Sequence, residues 1–517
     1  AGDSATSVTQ DIELPTSGAS GTTITWSSSD SAVVGTDGTV TRPAYTESDA
    51  SVTLTATISK GTESDTQTFT MRIMVLPAPP PVAGEDDDHD NEPDEQDEEN
   101  EQESTGRFDL IINGEQTSVL AATRTEQQNG RPLYLIRPVD EEQFLSIVEA
   151  LPENTTIRID AGELEPMSDV SIEWSYDATR LLANKGINLV VQAPGATLQL
   201  NINAIPLPDM QEEGQDAQTA QLRIAIGMLS ANDTALLDGE LPGEQIGEPV
   251  RLSIAILQGG TQQSLSNWRA YGMLSLPLPE GDARELTPTM VWLGEDGTLL
   301  PLPTRSAGMR VAQAHSRLDG VFALIHHTPS FEDIEGRWSE ADIADMAGRL
   351  IIRGASAEAF EPQRAITRAE LTTLLIRALG MPARGSEQSF EDVNGDAWYA
   401  DAIVTAAAIG LVTGGPDGSF RPDAPLTREE ASVMLSRAMV VMGTDSALSE
   451  QQVGSLLSGW NDAGQIAPWA REGMAVLRAW DILRGDSVGA VRPDAELTRE
   501  EMAALLRRMM QAAGWID

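Results

Sequence analysis

Ile366-Thr-Arg-Ala-Glu370, Leu426-Thr-Arg-Glu-Glu430 and Leu497-Thr-Arg-Glu-Glu501 are three copies of one pentapeptide. Other residues keep fixed distances from its arginine. A tryptophan stands 30 residues before it (Trp338, Trp398, Trp469), a glycine 14 before (Gly354, Gly414, Gly485) and a proline 6 before (Pro362, Pro422, Pro493). An aromatic-x-Asp opens each copy, as Phe331/Asp333, Phe390/Asp392 and Trp460/Asp462. Spacings held over three copies define an internal repeat, which divides the C-terminal part into 331–389, 390–459 and 460–517.

Each copy reads helix, loop, helix. Ile343, Met346, Ala347 and Ile351 recur at helical spacing, matched by Ile403, Ala406, Ala407 and Leu411, and the in-register glycine ends that helix. Thr367-x-x-Glu370, Thr427-x-x-Glu430 and Thr498-x-x-Glu501 are capping boxes that open the second helix. Its apolar stripe is Leu371, Leu374, Leu375 and Leu379 in the first copy. A unit of roughly 55 residues cannot bury both helices alone, so the three are expected to pack together.

The pattern also carries chemistry. An arginine just after the capping threonine sits in the first helical turn, beside unpaired N–H groups and the positive end of the dipole, where an anion is favoured. Its guanidinium can fork onto a carboxylate. A tryptophan offers a flat face to a sugar ring, an aspartate accepts from sugar hydroxyls, and a glycine lets a ligand approach the backbone. The competing reading makes tryptophan, proline and glycine architectural and pairs the arginine with a neighbouring acid. Arg368, Arg428 and Arg499 are the leading ligand candidates, because a threefold core role for arginine is uncommon.

These units resemble the S-layer homology (SLH) family over the last 187 residues. The resemblance implies an all-α pseudo-trimer that binds the secondary polysaccharide of a Gram-positive-type wall, a ligand bearing pyruvate ketals and hence carboxylates. It implies polysaccharide contacts from Arg368, Arg428, Arg499, Asp333, Asp392, Asp462, Trp338, Trp398, Trp469, Gly354, Gly414 and Gly485, with no catalytic residue, metal or cofactor. Two copies depart from the pattern. The second reads Asp417-Gly-Ser-Phe420, where the first has Ala357-Glu-Ala-Phe360 and the third Val488-Gly-Ala-Val491. Arg428 is therefore expected to matter most, since its own copy keeps every motif element.

Outward from the repeats, residues 1–77 are rich in Thr, Ser and Val. Ile24-Thr-Trp-Ser-Ser-Ser-Asp, Gly38-Thr-Val-Thr-Arg-Pro and Ser51-Val-Thr-Leu-Thr-Ala-Thr-Ile are short β-type runs, the last with Val52, Leu54, Ala56 and Ile58 alternating. The stretch resembles bacterial immunoglobulin-like modules, a β-sandwich with Trp26 as its anchor and its first strand missing. Residues 78–106 read as a Pro-rich and acidic spacer, with 13 acidic residues and no Lys or Arg from Glu85 to Glu103. Residues 107–330 are β-leaning with two short helices, Asp140 capping one at 141–151 and Gly186 ending the other. Gly- and Pro-rich breaks suggest two stalk modules, an α+β one at 107–205 and a β-rich one at 206–330, of the kind that precedes wall-anchoring repeats.

Composition bounds the rest. With 34 Lys+Arg against 80 Asp+Glu the formal net charge is −46, which repels nucleic acid and anionic membrane surfaces. The absence of cysteine removes disulfides, thiolate metal sites and cysteine nucleophiles. No apolar run reaches membrane-spanning length, and no signal peptide or initiator methionine is seen, as for a mature or partial chain. Asp392-Val-Asn-Gly-Asp396 imitates a calcium loop but has Ala397 and Ile403 at positions six and twelve, where the loop needs Gly and Glu. The expectation is a secreted, non-catalytic cell-surface protein, anchored by its C-terminal repeats and with S-layer or other surface proteins as neighbours. The alternatives are a wall-anchored polysaccharide-degrading enzyme whose catalytic domain lies upstream or undetected, and an S-layer lattice subunit.

Overall fold

A computed structural model describes residues 12, 14–18, 22–31, 33–40, 42, 50–60 and 63–73, and residues 105–517 apart from 113, 128–130, 166–167, 210–218, 230–236, 238–240, 280–286, 307–309, 386–389 and 416. The spacer expected at 78–106 lies outside the described residues up to position 104. The chain divides into two units, 1–99 and 100–517.

In the first unit β1 (Ser17–Gly18), β2 (Thr22–Ser28), β3 (Ala50–Lys60) and β4 (Glu63–Ile73) form one antiparallel sheet in that order. Val52, Leu54 and Ala56 alternate along β3 and are buried with Val34 and Ile73, as period-two patterning requires. The indole of Trp26 donates to Pro15 O at 2.9 Å and tilts against Phe69. The second layer that a sandwich needs is not among the described strands.

The second unit begins with β5 (Thr105–Ile112), β6 (Glu115–Glu126), β7 (Pro132–Pro138), α1 (Glu141–Ala150), β8 (Thr156–Asp160), β9 (Asp169–Ser175), α2 (Tyr176–Asn184), β10 (Asn188–Ala193) and β11 (Ala196–Asn201). It continues with β12 (Gln221–Met228), β13 (Glu244–Gln258), β14 (Thr261–Ser264), β15 (Gly272–Pro277), β16 (Pro288–Leu293), β17 (Leu299–Leu302), β18 (Thr304–Ser306), β19 (Val311–Ser316) and β20 (Gly320–His326). Asp140 caps α1 through Gln143 N, and Gly186 follows α2 with φ +63°, where glycine is favoured.

These strands do not form two modules. One sheet runs β17-β16-β20-β13-β12-β9-β7-β6-β5-β8-β10-β11-β15-β19-β18, with β14 on β13. Strands from 206–330 pair directly with strands from 107–205, β12 with β9 and β15 with β11. The boundary expected near 205 therefore falls inside one hydrogen-bonded body. Only Pro303 separates β17 from β18, so the sheet bends round until its ends meet, enclosing Phe144, Trp174, Trp268 and Phe322.

The repeats follow in the same unit as α3 (Glu340–Gly348), α4 (Arg368–Ala378), α5 (Ala400–Ala408), α6 (Arg428–Val441), α7 (Glu450–Leu457), α8 (Arg471–Ala479) and α9 (Arg499–Ala512). They share one core, which runs from Phe331 to Ile516. The arginine-bearing helix of each repeat packs on the first helix of the next, α4 on α5, α6 on α8 and α9 on α3. A backbone triangle closes the ring. Leu426 N donates to Ile366 O (3.1 Å), Leu497 N to Leu426 O (2.9 Å) and Ile366 N to Leu497 O (2.9 Å). The arginine spacing of 71 rather than 60 residues between the second and third repeats accommodates α7, which packs on α8.

Ring and β-body are joined by specific contacts. Tyr271 OH donates to Leu379 O at 2.7 Å, Arg349 Nη1 to Thr304 O, and Ser306 N to Asp517 Oδ2 at 2.8 Å. The Trp515 ring stacks on His315 and meets Tyr271 edge-on.

Candidate functional site

The capping boxes form as the sequence requires. Thr367, Thr427 and Thr498 accept from the N–H of Glu370, Glu430 and Glu501, whose carboxylates accept from the threonine N–H in return. The next two N–H groups of each helix are not free for an anion, contrary to expectation. Arg368 N and Ala369 N donate to Ala424 O and Pro422 O, Arg428 N and Glu429 N to Ala495 O and Pro493 O, and Arg499 N and Glu500 N to Arg364 O and Pro362 O. Backbone carbonyls of the next repeat around the ring fill the anion's place, because the helix starts are what join the repeats.

The aspartates and prolines build those joints. Asp333 accepts from Phe360 N (2.8 Å) and Glu361 N (2.7 Å), Asp392 from Phe420 N (2.7 Å) and Arg421 N (2.6 Å), and Asp462 from Val491 N (2.9 Å) and Arg492 N (2.7 Å). Glu361, Arg421 and Arg492 have φ of +59°, +61° and +51°, a left-handed conformation uncommon for non-glycine residues and doubly so before proline. The two-pronged carboxylate holds the chain there and aims the proline carbonyl at the neighbouring helix. Burial would raise the pKa of Asp333 and Asp392, but the backbone donors outweigh it and leave both below the usual carboxylate range. The sugar contact expected of these aspartates meets oxygens already engaged.

The glycines make room for the opening aromatic rather than for a ligand. A Cβ on Gly354, Gly414 or Gly485 would lie 2.5 Å from Phe331, 2.8 Å from Phe390 or 3.0 Å from Trp460. The tryptophans behave in the opposite way. Trp338, Trp398 and Trp469 are 60%, 65% and 58% exposed, so the core does not need them.

Each arginine reaches across to the loop of the next repeat. Arg499 donates from Nε to Phe360 O (2.9 Å), from Nη2 to Arg353 O (2.8 Å) and from Nη1 to Glu370 (3.2 Å), and lies over the Phe360 ring at 4.6 Å. Arg428 donates from Nε to Val491 O (2.9 Å) and from Nη1 to Glu501 (2.8 Å). Arg368 donates from Nη2 to Thr413 O (2.7 Å) and lies over Phe420 at 4.8 Å. Burial pulls Arg368 and Arg499 below the ordinary arginine pKa. Three inter-repeat junctions result, each joining one repeat's arginine to the next repeat's loop.

Sequence reading missed a second in-register set, Arg377, Arg437 and Arg508. Arg437 and Arg508 donate to Leu411 O and Ile482 O at the ends of the first helices, and burial pushes Arg377 down to about 10. Their fixed offset of nine residues from Arg368, Arg428 and Arg499 was the available signal. A polar cleft of about 590 Å³ on the β-body, with Arg251, Trp292, Asp319 and Arg384 in its lining, carries no motif. Among the described residues no group of His, Asp or Glu is arranged to hold a metal, and no helix is long and apolar enough to cross a membrane.

The family model of the S-layer homology domain matches 330–372, 389–432 and 461–503. The three repeats are S-layer homology domains. The model of the atrophied bacterial Ig domain matches 1–76, so the chain joins an Ig-like module to an SLH ring. Among curated proteins it is similar to an amylopullulanase of Thermoanaerobacterium thermosulfurigenes, 29% identical over 194 residues, which are 37% of this chain and 10% of that protein. An exoglucanase of Acetivibrio thermocellus is 30% identical over 36% of this chain and 17% of its own length. A 125 kDa surface-layer protein of Lysinibacillus sphaericus is 30% identical over 35% of this chain and 15% of its own length. The chain thus spans less than a fifth of each of these relatives, and the hydrolases match only in their SLH region. The SLH domains place the chain at the bacterial cell surface and make 331–517 a non-catalytic anchor region.

Proposed function

We propose that the SLH ring fastens the chain to a wall polysaccharide bearing carboxylates, such as pyruvate ketals, and displays the modules before it. The observation that supports this is the threefold recurrence of an arginine donating to the next repeat's loop, together with three in-register tryptophans more than half exposed. Exposing a large indole three times at one register has no packing return, whereas an open aromatic face and a guanidinium each suit a sugar with an acidic substituent. The likeness to an exoglucanase and an amylopullulanase fits a longer, wall-attached enzyme, but no part of the β-body matches them. The match to a surface-layer protein supports lattice neighbours as further partners.

Retention of the full chain on immobilised wall polysaccharide, before and after mild acid removes its ketals, tests the reading. Retention is expected with the ketals and not without them. Equal retention on both would remove the carboxylate from the ligand.

A further inference from the structure

The repeat symmetry is broken at the arginines, and broken in one direction. In the groove between the second and third repeats, Arg428 is neutralised by the capping-box carboxylate of Glu501 at 2.8 Å. In the groove between the third and first, Arg499 is neutralised by Glu370 at 3.2 Å, and every nitrogen of its guanidinium has a protein partner. Both grooves hold a second carboxylate one position on. Glu429 accepts from Ala467 N, and Glu500 from Arg337 and Ser339 beside Trp338.

The groove between the first and second repeats has neither acid in place. Glu430, the counterpart of Glu501 and Glu370, makes the same capping contact to its threonine N–H but no ion pair with Arg368. No carboxylate among the described residues lies within ion-pair distance of Arg368. The counterpart of Glu429 and Glu500 is Ala369. Nε of Arg368 is buried without a partner, and Nη1 makes no hydrogen bond among the described residues, so the guanidinium has no ion-pair partner there. Glu430 acts on it favourably through space, opposed by Arg421 and Arg437. This same groove contains the complete loop, Gly414, Asp417, Gly418 and Phe420. The expectation that Arg428 leads fails for a topological reason. An arginine serves the loop of the next repeat, so the intact second-repeat loop belongs to Arg368 and Arg428 faces the eroded loop ending at Val491.

We propose that the ring is a one-site anchor, in which the groove of Arg368 takes the ligand carboxylate and those of Arg428 and Arg499 are closed by internal carboxylates. A half-buried guanidinium without an ion pair gains most from an incoming anion, while an ion-paired one must first give up its own carboxylate. The inference rests on the polysaccharide reading above and goes beyond it by naming the working groove.

Calorimetry of the full chain with a methyl glycoside carrying a pyruvate ketal, and with the same glycoside lacking it, tests both. One ketal glycoside per wild-type chain is expected. Arg368→Gln should weaken binding about tenfold or more, and Arg428→Gln and Arg499→Gln less than about threefold. Arg368→Lys, which keeps the charge but loses the fork, should fall between. The wild-type stoichiometry stands even if a variant folds poorly. Three equivalent sites, or an equal loss from all three glutamine variants, would overturn the one-site inference alone. Equal binding of both glycosides, or of neither, would overturn the carboxylate reading together with it.

Discussion

At the residue scale, the exposed tryptophans and the aspartates engaged by backbone donors predict different responses to substitution. Trp398 is 65% exposed and meets Tyr399 edge-on. Trp398→Ala is therefore expected to leave the melting temperature within about 2 °C, as surface substitutions do, while weakening retention on wall polysaccharide. Asp392→Ala should do the reverse to stability. It releases one part-buried and one exposed backbone donor and the left-handed residue they hold, at about 1–3 kcal/mol, readable by thermal unfolding. The sequence marked both residues through their spacing but could not assign the roles. Spacing shows that a residue is needed, and only the backbone path shows that both oxygens of Asp392 are already engaged. Glycine was misread for a similar reason. A gap at Gly414 suits a ligand or a ring, and Phe390 fills it.

At the scale of elements, what was legible was what is local. Capping boxes, the short helix after Asp140, the end of the second helix before Gly186 and the β-leaning character of 107–330 follow from patterns within a few residues and are all present. What was illegible depends on partners distant in sequence. The exchange of helices between repeats and the interleaving of β9 with β12 and β11 with β15 leave no trace in a window of local sequence. The exchange has a consequence for truncation. Removing 460–517 strips α3 of its partner α9 and opens the backbone triangle at Ile366 and Leu426. The first two repeats should then lose cooperative unfolding rather than persist as a two-thirds ring, a difference that calorimetric unfolding resolves. A milder lesion, Thr427→Ala, should cost about 1 kcal/mol through loss of one cap.

At the scale of the whole molecule, the SLH ring and the β-body act as one unit, and their junction is sensitive to acid. His315, stacked on Trp515 and facing Tyr271 and Arg305, is held by burial at a pKa of about 4, against about 6.5 in an unfolded chain. The unfolded chain binds the proton more readily, so this contribution is complete above about pH 6.5 and is lost as pH falls toward 4. The loss amounts to at most about 3 kcal/mol. His315→Phe should flatten the stability profile across that window, measured by urea unfolding at a series of pH values. Asp333, held below the usual carboxylate range by its backbone donors, protonates below it.

Anchoring to the wall is the central claim, and co-sedimentation of the full chain with purified sacculi tests it most directly. Sacculi retaining their secondary polysaccharide should carry the chain into the pellet, and free polysaccharide should release it. Sacculi stripped of that polysaccharide should leave the chain in the supernatant. Equal pelleting with stripped peptidoglycan, or none with either preparation, would contradict the account.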